Sequence, residues 1–145
     1  MRYLEKAALA GAATGLRSTS AVSALISAKA PGLPAVLTGP VAAGLANLGV
    51  TGELEQDKKG STPSRLTPVG LGGRIAFASV AGAVLARGAK HAVVPAVIVA
   101  SVAALVSARL GHDLRVAASQ RFLPSAVASA EDAVALSLAA ASARA

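Results

Sequence analysis

The sequence predicts an all-α, polytopic integral membrane protein: about five transmembrane helices, four at the fewest, in one domain over residues 1–145. Three observations predict it. Hydrophobic residues make up 54% of the chain and mean hydropathy is +0.61, while charged residues are 14% against the roughly 25% of an average soluble domain. The charges fall between apolar runs instead of along helix faces, so the competing class, a soluble alanine-rich bundle, would lack the polar outer stripe each helix needs. Several apolar runs also approach the ~20 residues that cross a ~30 Å hydrocarbon core.

The first predicted span, 7–28, follows a short polar start carrying Arg2, Glu5 and Lys6. This opening imitates a signal peptide, but Arg17 interrupts the apolar stretch after ten residues, where a cleaved signal needs an unbroken core. The segment therefore reads as a helix with Arg17-Ser18-Thr19-Ser20 at its middle. The second span, 33–50, lies in a charge-free run of 23 residues from Ala30 to Gly52 and is kinked or broken by Pro34 and Pro40. Residues 51–67 form a polar loop with Glu53, Glu55, Asp57, Lys58, Lys59 and Arg65. The third span, 68–86, contains Arg74. Arg87, Gly88 and Lys90 make a tight connection to the fourth, 91–108. Residues 109–121 read as a polar, partly helical connector, and the fifth span, 123–143, carries Glu131 and Asp132 side by side at its centre.

The two halves suggest a duplicated hairpin. Gly15-Leu16-Arg17 leads to Leu48-Gly49 after 32 residues, and Gly72-Gly73-Arg74 leads to Leu110-Gly111 after 37, counting from arginine to final glycine. Orientation follows from lysine and arginine counts. With the N-terminus cytoplasmic, inner segments hold Arg2, Lys6, Lys58, Lys59, Arg65, Arg109, Arg115 and Arg121, against Lys29, Arg87, Lys90 and Arg144 outside. Five spans then place the C-terminus outside. The expected location is the plasma membrane.

The net charge of +7 and pI near 10.9 would suggest nucleic acid in a soluble protein. Here the basic residues mark span ends, and Tyr3, Phe77 and Phe122 are too few to stack bases, so no nucleic-acid partner is expected. No cofactor or metal is expected either. Cysteine is absent, His91 and His112 lack a third ligand at suitable spacing, and Gly70-Leu71-Gly72-Gly73-Arg74 lacks the lysine-serine ending of a phosphate loop. With no Gly-x-Ser-x-Gly elbow, no enzyme is predicted. Glycines 11, 15, 39, 44, 73 and 82 are read as positions of close helix packing.

The ordered pieces Gly11-Ala12-Ala13-Thr14-Gly15-Leu16-Arg17-Ser18, Thr62-Pro63-Ser64-Arg65-Leu66-Thr67-Pro68, Gly73-Arg74 and Ala130-Glu131-Asp132-Ala133 resemble small actinobacterial membrane proteins grouped as the domain of unknown function 4126. The resemblance implies an integral membrane protein and brings no activity with it.

The candidate site is an intramembrane charge network of Arg17, Arg74, Glu131 and Asp132. A charge near mid-span costs about 2.5–3.5 kcal/mol on insertion scales, so each should face the protein interior and find a partner. Two arginines and two acids suggest two ion pairs, with Arg74, about six residues into its span, also able to reach the interface. A polar pocket at Arg17 for an anion, and proton relay through the acids, are the functional alternatives. Two functions follow: a structural or accessory subunit docking on other membrane subunits, or a small transporter or channel, for instance as a homo-oligomer. In both the lipid bilayer is a partner.

Overall fold

The computed structural model describes residues 2–40, 42, 44 and 66–144. Among these are five α-helices, which we label α1 (Tyr3–Leu16), α2 (Ser20–Ser27), α3 (Pro68–Gly88), α4 (Val93–Ser119) and α5 (Pro124–Ala143), one 3-10 turn (Ala35–Leu37), and no strand. Eight of the 18 residues of the second predicted span and nearly all of the loop 51–67 lie outside the described residues.

Local chemistry sets the helix ends. The Glu5 carboxylate accepts the Arg2 N–H at 3.0 Å over the first turn of α1. Thr67 Oγ1 accepts the Gly70 N–H at 3.2 Å, with Pro68 in the first turn of α3, and Pro124 opens α5 in the same way. Helices α2 and α3 both finish in full Schellman closures: Ala30 N–H donates to Leu25 O and His91 N–H to Ala86 O, each at 2.9 Å. The left-handed residue of each closure is a lysine, Lys29 (φ 48°) and Lys90 (φ 57°), where glycine is the cheaper residue.

Helix α1 is the centre of the bundle, with α3, α4 and α5 packed around it. Tyr3 stacks on His91 and Gly15 lies against Ala104, so α1 and α4 run parallel. Arg74 meets the last turn of α1, and Lys6 donates to the Arg144 carbonyl, so α3 and α5 run the opposite way. One end of the bundle, the near end, therefore gathers Tyr3, Gly88, His91 and Arg144. Pro31 is also there, its carbonyl against Gly88.

That placement corrects the first predicted span. Residues 7–28 do not form one helix: α1 ends at Leu16, Arg17 turns to extended backbone (φ −146°, ψ 111°), and α2 returns toward the near end. The product is a helical hairpin with Arg17-Ser18-Thr19 at its tip. Fourteen residues give α1 about 21 Å, short of a full crossing. Three further corrections follow. Helix α4 continues through the supposed connector to Ser119. Lys6 and Arg144 meet at the near end, whereas five spans would put the two ends of the chain on opposite sides. The two arginines of the supposed repeat are not equivalent, since Arg17 forms a hairpin tip whereas Arg74 lies inside a continuous helix.

Among the described residues three helices, α3, α4 and α5, are long and apolar enough to cross a membrane, fewer than the four or five predicted. Their packing is inverted relative to a water-soluble bundle. The inward row of α4 is Ala96, Ala100, Ala104 and Ala108, all at 0–1% exposure. Two residues around the helix, Val94, Ile98, Val102, Val106, Leu110 and Leu114 point outward, each more than half exposed. Small residues meet at every interface: Ala7, Gly11 and Gly15 on α1, Ala78 and Gly82 on α3, Ala135 and Ala139 on α5. A Cβ on Gly11 would strike the Ala100 carbonyl, one on Gly15 the Ala104 carbonyl, and one on Gly82 would lie 2.7 Å from the Ala96 oxygen. Gly39, Gly44 and Gly73, expected to pack in the same way, have no described neighbour within 4 Å.

Candidate functional site

The hairpin tip leaves acceptors that must be satisfied away from water. The last turn of α1 exposes the Thr14 and Gly15 carbonyls, which no later N–H of that helix can reach. Arg74 Nη1 donates to both, at 3.2 and 2.8 Å. A cation at a helix C-terminus also meets the negative end of its dipole. Arg17 O accepts from Ser20 N–H at 3.2 Å and Ser20 Oγ at 2.8 Å, and Thr14 Oγ1 donates back to Ala10 O at 2.8 Å.

The charged side chains then connect the tip to the other helices. Arg17, 4% exposed, donates through Nη2 to Asp132 Oδ1 on α5. Glu131, one position earlier, lies against Arg115 of α4, Oε2 to Nε at 3.0 Å. Gly111 is close by; a Cβ there would fall 2.6 Å from Leu16 Cδ2 and 3.4 Å from Glu131 Oε1. Neighbouring helix residues point about 100° apart, so the two acids serve different partners.

All four predicted residues thus lie around one region, some 20 Å from the near end by the length of α1. Their partnering differs from two simple arginine–acid pairs. Arg74 is buried and caps a helix instead of reaching the interface, and Glu131 lies against Arg115. Arg115 was not singled out in the sequence because it fell in the supposed connector. The signal was present: Arg115 and Glu131 are each eight residues from Leu123, as facing residues of an antiparallel helix pair must be. His91 lies exposed at the near end, stacked on Tyr3 with centroids 4.4 Å apart. Among the described residues no three His, Asp or Glu side chains are grouped to hold a metal.

The arrangement can lock a hairpin. Three helices each hold the tip with a different contact, Arg74 from α3, Gly111 from α4 and Asp132 from α5. A cavity of about 690 Å³ is present elsewhere, at the near end, lined by Tyr3, Leu85 and Arg144 among others and by none of these network residues. No protein-family model, no curated protein and no solved structure matches the chain.

Proposed function

We propose that the chain is a small multi-pass protein of the plasma membrane, acting as a structural or accessory subunit of a larger membrane assembly. The observation that carries the membrane reading is the inverted packing of α4, alanines inside and Val, Ile and Leu outside. In water, leaving six such side chains more than half exposed forgoes on the order of 5–10 kcal/mol, comparable to a whole domain's net stability. In lipid it costs nothing, and small inward residues let helix backbones approach closely.

On this reading α1 and α2 form a re-entrant hairpin, and α3, α4 and α5 cross the bilayer.

The structural role draws support from the site. Its arginines and acids join helices: Arg17 to Asp132, Arg115 to Glu131, and Arg74 to the end of α1. A transporter is the second reading, favoured by one observation: a broken helix whose tip carries charge deep in the bundle, the arrangement transporters use to bind ions. Extraction in mild detergent, a native gel and mass spectrometry of co-migrating chains decide between them. A reproducible set of larger subunits is expected; a homo-oligomer alone, conducting ions in liposomes and losing that conductance with Asp132→Asn, would establish the second reading instead.

A further inference from the structure

The near end holds a cavity of about 690 Å³, within the size range of small-molecule sites. Small residues line part of it. Gly88 lets the Pro31 backbone approach, and Ser142 and Ala143 leave the space that larger side chains would fill. Its lining includes the apolar Pro31 and Leu85 and also Tyr3, stacked on His91.

The charged lining is one-sided. Arg2, Lys6 and Arg144 supply three cations, and the single acid, Glu5, already accepts the Arg2 backbone N–H. Lys6 Nζ donates to the Arg144 backbone carbonyl, which ties the start of α1 to the end of α5 at the cavity. The N-termini of α1 and α4 and the C-termini of α2, α3 and α5 all lie at this end, so helix dipoles add no net positive field and the cationic character comes from side chains. Just outside, Lys29 and Lys90 hold left-handed backbone that glycine would hold without strain, keeping two more cations at this end.

We propose that this cavity binds a phosphate-bearing anion, with Arg2, Lys6 and Arg144 as its ligands and Pro31, Leu85 and Tyr3 taking up the attached apolar group. An anionic phospholipid headgroup supplies that chemistry at the level where the crossing helices emerge, and basic pockets between membrane helices hold such headgroups. The lipid source rests on the membrane reading; the anion site does not.

The test is native mass spectrometry of the full chain in mild detergent, with phosphatidylglycerol, phosphatidylcholine of the same acyl chains, and inorganic phosphate as probes. One phosphatidylglycerol should be retained about tenfold more tightly than phosphatidylcholine. Arg2→Gln with Lys6→Gln should abolish the preference, while Arg109→Gln with Arg121→Gln, at the opposite end, should keep it. Displacement of the lipid by millimolar inorganic phosphate assigns the site to the free anion, and resistance to displacement assigns it to the headgroup. Equal retention of both lipids by the wild-type chain overturns the proposal even if the double variant fails to fold, as does a folded double variant that keeps the preference. Carbonate extraction of native membranes reports on the membrane reading separately.

Discussion

Arg17 is the residue on which the hairpin depends. Its guanidinium is buried against Asp132, and removing one member of such a pair leaves the other charge stranded, a loss of about 3 kcal/mol or more. Arg17→Ala should therefore lower the thermal stability of the detergent-solubilised protein far more than Arg87→Ala, whose side chain is exposed. Combining Arg17→Ala with Asp132→Ala should be milder than the sum of the single changes, and strict additivity in the melting experiment would mean the two are not in contact. Glycines give a second contrast. At Gly15 a methyl group has no room beside the Ala104 carbonyl, so Gly15→Ala should separate α1 from α4 and cost about 1–3 kcal/mol. At Gly73 space is open, and Gly73→Ala should be neutral or stabilise by about 0.5–1 kcal/mol through helix propensity. Both can be read from melting curves.

At the level of elements, what the sequence revealed and what it hid have separate physical causes. Helices α3 and α5 were legible almost to the residue because each begins at or beside a proline and stays apolar on both sides of its few charges. Helix α4 was legible at its start only; its last turns carry Arg109, His112, Asp113 and Arg115, and a polar helix extending past an apolar one looks like a loop to hydropathy. The α1–α2 hairpin was hidden because a hairpin and a crossing of equal length have the same composition, and no glycine or proline marks the turn. Arg17 was the visible sign that something interrupted the segment, and the sequence located the interruption without its geometry. The arginine–acid attraction was legible as types, whereas the capping role of Arg74 depends on where α1 ends. The Schellman closures add a prediction of their own. Lys29→Gly and Lys90→Gly each relieve a left-handed L-residue and should raise stability by about 1 kcal/mol, seen as a higher melting temperature for either variant.

The whole molecule turns a row of Val, Ile and Leu side chains outward, and Lys6 and Arg144, near its two ends, meet at one end of the bundle. The cysteine-free sequence makes both claims directly measurable, since any introduced thiol is the only one present. Glu5→Cys and Arg144→Cys should be modified by a membrane-impermeant maleimide from the same side of oriented vesicles, and opposite-side labelling would refute the shared end. The most direct test of the central claim places cysteine at Val102, in the middle of the outward row of α4. Native membranes carrying Val102→Cys are treated with the impermeant maleimide before and after unfolding in detergent. The inverted bundle predicts no modification while the membrane is intact and full modification after unfolding. Rapid modification in intact membranes, or recovery of the protein in the aqueous fraction, would mean that the valine and leucine row faces water and that the chain is not built for lipid.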